Sequence, residues 1–276
     1  MTDKPLTRRV HQVLEPLHTL VYFVPETADC YGAIGLTGGM RPYFASRSAA
    51  LGAVPPEVVV ATFYNFSPKQ VAKAIPSVWE SATPEQVLAA RLEVVDRSLR
   101  RMLGDEITSS AVSEAAALAR DATDAADVVG RPLYAAHAAL PWPEEPHLQL
   151  WHAATLLREH RGDGHIAALV LAGLSGAEAA VTYVATGKSM QEDLLRKTRG
   201  YSEEEWQAVK NGLRARGLLD ADGQLTADGT ALREDVEART DAAARAPYEH
   251  LGTDKTERLI ELATPLAQFV TKQIFG

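Results

Sequence analysis

Four short segments carry the same helix-start signature, and this repetition constrains the fold more than any other feature of the sequence. Each has Ser or Thr followed three positions later by Glu or Gln: Ser67–Gln70, Thr83–Gln86, Ser175–Glu178 and Ser202–Glu205. In such a capping box the two side chains bind the free backbone N–H groups of a first helical turn. Alanine is abundant and β-branched residues rarely alternate with polar ones, which also favours helices. We therefore predict a mainly α-helical protein.

Composition excludes several classes of protein. No apolar run reaches the ~18 residues of a membrane span, and the N-terminal residues lack the apolar region of a secretory signal. The single Cys30 excludes an intrachain disulfide and a site built from several thiolates. We expect a cytoplasmic protein without membrane contact. A net charge of −8 means that nucleic-acid binding would require a local basic face.

The two halves of the sequence resemble each other at a nearly constant spacing. Three landmarks recur 117 to 121 positions later, and a fourth recurs at about the same distance. They are Thr123–Ala126 with Thr240–Ala243, Thr83 with Ser202, Glu57 with Glu178, and Arg47 with the region of Arg161. Alanine-rich sequence also produces such matches by chance. We nevertheless predict an internal duplication, with an N-terminal repeat at 1–146 and a C-terminal repeat at 147–276 around a pseudo-twofold axis.

Residues 190–245 predict a helix, a short hairpin and a closing helix. Asp222-Gly223 is a typical hairpin turn, and Thr226 is a suitable cap for the helix after it. Over about 45 residues this segment resembles the winged-helix half of MarR-type regulators, on the residues Gly217–Leu219 and Leu225–Gly229. The resemblance implies two degenerate winged-helix-like repeats, with a small β-hairpin wing in the second and an eroded wing in the first.

The whole chain is also similar to an actinobacterial family of helix-turn-helix proteins of unknown role. The residues that carry this resemblance are Tyr64–Pro68, YNFSP, and Leu156–His165, LLREHRGDGH. It implies a transcription-regulator ancestry, but it assigns no ligand. The charge of the predicted groove-reading face disagrees with DNA binding, since residues 202–241 contain 10 acidic and 5 basic side chains. Because duplex affinity depends on neutralising phosphates, we consider DNA a less favoured partner.

The stretch Trp151–Tyr183 contains two apolar helical segments and a dense group of titratable residues between them. Gly162 fits a helix end and Asp163 fits the cap of a following helix, so we predict a tight helix–helix corner there. The simplest interpretation of the group is capping and ion pairing. The functional interpretation is a cavity between the repeats, in which arginines bind a carboxylate or phosphate and histidines transfer protons. The residues are Arg158, Arg161 and Asp163 as ligand-binding groups and His160 and His165 as catalytic groups.

Other candidate site residues are scattered through the first half. His18 and Tyr22 lie one turn apart in an apolar helix, and the favoured interpretation of His18 is a buried, hydrogen-bonded histidine rather than a ligand-binding one. The remaining ligand-binding candidates are Tyr31 and Arg41 beside a Gly-rich turn, Arg47, and Tyr64 with Asn65 at a helix end.

These patterns together predict a protein that binds a small molecule between two winged-helix-like repeats, as a monomer or homodimer. Chemistry on an arginine-held substrate by a histidine acid or base is the simplest mechanism, if binding leads to reaction. The alternative is a regulator whose DNA binding responds to the ligand. A metal site would need His18 or Glu159 beside His160 and His165, and we predict none. The sequence does not identify a cofactor.

Overall fold

A computed structural model describes residues 4–187, 189 and 191–276. Residue 190, where the predicted winged helix begins, lies outside the described residues. Sixteen α-helices and three 3₁₀ turns (Leu20–Tyr22, Ala49–Leu51 and Gly104–Thr108) follow one another in the described part of the chain. The helices are α1 Leu6–Thr19, α2 Glu26–Ala33, α3 Arg41–Ser48, α4 Pro56–Phe63, α5 Pro68–Ala72, α6 Ser77–Ser81, α7 Pro84–Leu103, α8 Ser110–Thr123, α9 Pro132–Ala138, α10 Pro146–Leu171, α11 Gly176–Ala185, α12 Glu192–Arg199, α13 Glu203–Ala215, α14 Ala227–Ala243, α15 Ala246–Leu251 and α16 Thr253–Phe275. The protein is therefore mainly α-helical, as predicted.

Three of the four predicted capping boxes form. The side chains of Thr83, Ser175 and Ser202 each accept a hydrogen bond from the backbone N–H three residues on, and the Gln or Glu there bonds back. The fourth does not, because the Ser67 hydroxyl makes no cap hydrogen bond. The backbone N–H of Ser67 instead donates to the carbonyl of Arg199, at 2.8 Å. This bond joins the start of α5 to the end of α12.

The predicted corner at Gly162 and Asp163 is wrong, because α10 continues without a break through both residues. Glycine disfavours a helix interior by about 1 kcal/mol, but Gly164 allows a close approach. A Cβ atom there would lie 2.9 Å from Nη1 of Arg131 and 3.0 Å from Cβ of Ala243. Gly162, which suggested the turn, therefore lies inside the helix, and Gly164 lets α10 approach Ala243 of α14 closely.

The buried apolar residues form two clusters. The first contains side chains from α1 to α9, the first half of α10, and α15 and α16. The second contains side chains between Ala168 and Val236. Helix α10 passes from one cluster into the other, and the last helix packs back on α1 and α8 in the first. The division into repeats at residue 146 stays a prediction.

The predicted β-hairpin wing is reduced to one antiparallel bridge, between Leu219 and Leu225. The backbone N–H of Asp220 donates to the carbonyl of Gln224 at 2.9 Å, so the turn does form. No strand is present in the described residues, because the two arms are only about three residues long and no third strand supports them. The Thr226 side chain accepts from the N–H of Gly229, which confirms the predicted cap of α14.

No single described helix is long and apolar enough to cross a membrane. Only α10 and α11 taken together reach that length and composition, and they meet at a bend of 98°.

Candidate functional site

Glu159 is the charged centre of the titratable segment of α10. It is 1% exposed, and its Oε2 atom lies 2.7 Å from Nη1 of Arg158 and 3.5 Å from Nη2 of Arg47. Burial alone raises the pKa of a carboxyl, but these two guanidinium groups outweigh it and hold the pKa of Glu159 well below its usual range. Glu159 is therefore ionised, and α10 and α3 meet at this ion pair.

A first cavity, which we call the tyrosine cavity, has a volume of about 630 Å³. Its walls come from the end of α1, from α2 and α3, and from the Gly-rich turn between them. The predicted ligand-binding residues that line it are Tyr22, Tyr31, Arg47 and Arg158. Tyr31 donates its hydroxyl hydrogen to Oγ of Ser46 at 2.6 Å, and burial raises its pKa to about 12.

A second cavity, which we call the inter-core cavity, has a volume of about 410 Å³ and is lined by side chains from both apolar clusters. The predicted residues that line it are Arg47, Tyr64, Asn65, Arg158 and His165. Nδ1 of His165 lies 2.9 Å from the Thr240 hydroxyl. Burial lowers the pKa of His165 to about 4, so the imidazole is neutral at pH 7.

Four side chains line both cavities, and we call them the arginine wall: Tyr43, Arg47, Arg158 and Arg199. Two of the guanidinium groups lie on aromatic faces, Arg47 at 4.3 Å from the centre of the Phe63 ring and Arg199 at 4.4 Å from that of Phe66. Cation–π contacts of this kind orient an arginine, but they do not neutralise its charge.

Arg199 differs from the other two arginines because no carboxylate pairs with it anywhere in the described residues. Its side chain makes no hydrogen bond there, and its Nε atom is buried without a partner. Burial lowers the pKa of Arg199, and the nearby Arg47 and Arg158 lower it further. Arg158 also contacts Glu15, at 3.5 Å. The wall therefore holds three cations against two carboxylates.

The segment YNFSP positions the aromatic side of the wall. Tyr64 ends α4 with a φ of 61°, an uncommon conformation for a residue with a side chain. Its hydroxyl donates to the carbonyl of Leu174 at 2.5 Å, just before α11. This contact fixes Phe63 and Phe66 beneath the arginines and joins the two apolar clusters.

Several other predicted residues lie outside both cavities. Arg161 pairs with Asp241 at 2.9 Å, and the ring of His160 packs edge-on against Tyr134 at 5.2 Å. Burial lowers the pKa of His160 to about 4. Nδ1 of His18 lies 3.0 Å from the Thr155 hydroxyl. Arg41 donates to Oγ of Ser81 at 2.9 Å. Their roles in ligand binding stay predictions.

Asp163 caps a different helix from the one expected. Its Oδ2 atom accepts a hydrogen bond from the backbone N–H of Tyr134 at 2.9 Å, in the first turn of α9. Burial raises the pKa of Asp163 from 3.8 to about 6, although that hydrogen bond acts in the opposite direction. The buried surroundings of Asp163 therefore favour the neutral carboxylic acid over the carboxylate.

We expect Asp163→Asn to stabilise the protein at neutral pH. A carboxyl whose pKa is raised by folding binds its proton more tightly in the native state, so the native state loses stability as the pH rises from about 4 to about 6. Asn keeps the acceptor oxygen and cannot ionise. The variant should match the wild type at pH 4 and exceed it by about 2 kcal/mol at pH 7.5. Urea unfolding at both pH values measures this, and an equal difference at both would contradict it.

Sequence reasoning did not identify Arg199, and it considered Glu159 as part of the titratable segment and as a possible metal ligand. Arg199 is the last residue of a short polar helix, where a basic side chain is ordinary. Its position beside Arg47 results from the Ser67–Arg199 backbone bond, which local sequence does not encode.

The chain matches the Helix-turn-helix family over residues 7–275. The chain belongs to this family. No curated protein and no solved structure matches it. The family match covers nearly the whole chain and does not select MarR-type regulators, so that finer resemblance stays a prediction.

Helix α13 begins the segment that was predicted to read a DNA groove, residues 202–241. Each basic side chain of α13 and of the turn after it is engaged within the protein. Lys210 pairs with Glu192 at 2.9 Å, Arg216 pairs with Glu178 at 2.7 Å, and Arg214 donates to the Asp220 carbonyl. The exposed first turn is Glu203 and Glu204. This face presents few cations that could contact a phosphate backbone.

Proposed function

We propose that this member of the helix-turn-helix family binds a small anionic organic molecule at the arginine wall. The observation that carries the proposal is Arg199, a half-buried cation beside two cavities with a buried Nε atom and no carboxylate partner in the described residues. Charged groups removed from water are normally paired, because an unpaired one is costly. A bound anion supplies the missing partner.

The chemistry of the wall favours a carboxylate or a phosphate-like group. Arginine binds both through parallel N–H donors, and Arg47 and Arg199 are already held in place by Phe63 and Phe66. The tyrosine cavity offers aromatic and apolar surface for the rest of a ligand, since Tyr22, Tyr31 and Phe23 line it. The occupant is therefore an organic anion with an apolar or aromatic part.

His165 is the candidate acid or base if binding leads to chemistry. It lines the inter-core cavity together with Arg158, and its imidazole is neutral at pH 7. A neutral imidazole can accept a proton from a ligand held by the arginines. Catalysis by His160 has less support, because that ring lies against Tyr134 outside both cavities.

The binding proposal is tested by calorimetry with inorganic phosphate, phenyl phosphate and succinate as probes. Arg199→Met should lower the affinity for the probe that binds best by about tenfold or more. The same variant should unfold at an equal or higher denaturant concentration, since it removes an unpaired, half-buried cation. Arg239→Met, at an exposed arginine paired with Asp235, is the matched control and should change neither quantity.

Two results would contradict the proposal. One is the failure of all three probes to bind the wild-type protein. The other is a loss of stability in Arg199→Met without a change in affinity, which would show that the guanidinium has only a structural role.

The alternative is a regulator whose DNA binding responds to the same ligand, and the family match favours it. It requires salt-dependent retardation of a duplex that carries the region upstream of its own gene. The acidic and internally paired surface of α13 argues against it. Both candidate functions share the proposed organisation into two winged-helix-like repeats and the proposed monomeric or homodimeric state. Superposing the two halves of an experimental structure tests the repeats.

A further inference from the structure

A third cavity, which we call the tryptophan cavity, lies apart from the arginine wall and has a volume of about 690 Å³. No described residue lines both it and the tyrosine cavity. The segment Pro141-Trp142-Pro143 forms part of its wall. The other apolar lining residues include Trp151, Leu88 and Leu140.

Three buried polar side chains also line this cavity, and each keeps an atom without a hydrogen-bond partner in the part of the chain that the structure describes. They are Arg91, 2% exposed, His137, 2% exposed, and His152, 5% exposed. The atoms are Nε and Nη2 of Arg91 and Nε2 of both histidines. Buried polar atoms are nearly always hydrogen-bonded, so three such side chains around one cavity indicate a common partner.

Arg91 determines the charge of that partner. Its Nη1 atom donates to the Tyr22 hydroxyl at 3.1 Å and to the backbone and side chain of Ser46 at 3.0 and 2.9 Å. These acceptors are neutral, and no described carboxylate pairs with Arg91. Its guanidinium lies over the Trp151 ring, 5.0 Å from the centre. A fully buried cation without an anion calls for a bound anion.

The histidines are suited to share such an anion. Burial lowers the pKa of His137 to about 3 and that of His152 to about 4, so both rings are neutral at pH 7. A neutral ring with its proton on Nε2 donates one hydrogen bond and adds no charge. Glu85 is the one carboxylate among the lining residues, and it is exposed.

We propose that the tryptophan cavity binds an apolar carboxylic acid as its anion, with Arg91, His137 and His152 around the carboxylate and Trp142 and Trp151 against the apolar body. The single positive charge of Arg91 balances one carboxylate, and the two neutral histidines can each donate a hydrogen bond to it. The apolar lining matches an aromatic or aliphatic body rather than a second charged group.

The test is calorimetry of the full chain with 1-naphthoate and decanoate, each against its neutral amide. The acid should bind about tenfold more tightly than the amide. His152→Phe preserves an aromatic ring against Trp142 and should weaken binding of the acid about fivefold while leaving the amide unchanged. Arg91→Met is not used as the first variant, because Arg91 also binds Ser46 and Tyr22.

Leu88→Trp fills the cavity and should abolish binding of both acid and amide. Leu171→Trp, at a leucine that is 77% exposed, is the matched control and should bind like the wild type. Equal affinities for acid and amide, no acid binding below about 1 mM, or unchanged binding in Leu88→Trp would each overturn the proposal. Arg199→Met should not alter naphthoate binding, and a loss there would place the acid at the arginine wall instead.

Discussion

Replacing Glu159 by glutamine should lower the free energy of unfolding by about 3–5 kcal/mol, because it leaves the buried Arg47 guanidinium without a carboxylate in the described residues and removes the nearer of the two carboxylates at Arg158. Glu159 is 1% exposed and ionised, between Arg158 and Arg47. Glutamine has nearly the same shape as glutamate, so the loss of stability would result from the missing negative charge and not from altered packing. Urea unfolding at pH 7 measures it.

The control for this substitution is Glu234→Gln, at an exposed carboxylate of α14, which should change stability by less than about 0.5 kcal/mol. The double variant Glu159→Gln with Arg47→Met should recover part of the loss, because it removes the cation that the first substitution leaves unpaired. A Glu159→Gln protein as stable as the wild type would show that the two arginines do not depend on this carboxylate.

Gly176→Ala should destabilise the protein by about 3 kcal/mol or more, since the added methyl group meets backbone and not a flexible side chain. The Cβ atom would lie 1.9 Å from the carbonyl oxygen of Tyr64 and 3.1 Å from Cα of Asn65. Helix α11 would have to move away from the end of α4. The hydrogen bond from Tyr64 to the Leu174 carbonyl would be strained by that movement.

The matched substitution is Gly212→Ala, also within a helix but with no atom within 4 Å of the added Cβ. It should stabilise the protein by about 0.5–1 kcal/mol, the usual gain of alanine over glycine in a helix. Thermal and urea unfolding measure the stability of both variants. The change in Gly176→Ala reports the close packing of α11 on α4, and the change in Gly212→Ala reports helix propensity alone. If both alanines stabilise the protein, α11 does not approach the Tyr64 carbonyl closely enough to exclude a methyl group at residue 176.

The helical character of the protein could be predicted from sequence because its signals are local. The capping boxes at Thr83, Ser175 and Ser202 act within one turn, and the hydroxyl and the Glu or Gln need no other part of the chain. The corner expected at Gly162 failed for the opposite reason. A glycine is compatible with either a helix end or a continuous helix, and the outcome at Gly162 depends on the helices α8, α9 and α14 that pack along α10.

The residues of the candidate site also fall into two groups, those that could be predicted from the sequence and those that could not. Arg47, Arg158 and His165 were found from the sequence because titratable residues are conspicuous in apolar helices, and the structure places all three around the inter-core cavity. Arg199 and the unpaired atoms of Arg91 were not found, because whether a cation has a carboxylate partner depends on residues distant in sequence.

The sequence by itself determined that this chain is mainly α-helical and where α7, α11, α13 and α14 begin, since capping and helix propensity act over a few residues. The tertiary structure alone decided that α10 continues through Gly162, that Arg47, Arg158 and Arg199 meet at one wall, and that Arg91 is buried without an anionic partner in the described residues. These outcomes depend on which surfaces exclude water together, and that is set by contacts between residues far apart in the chain.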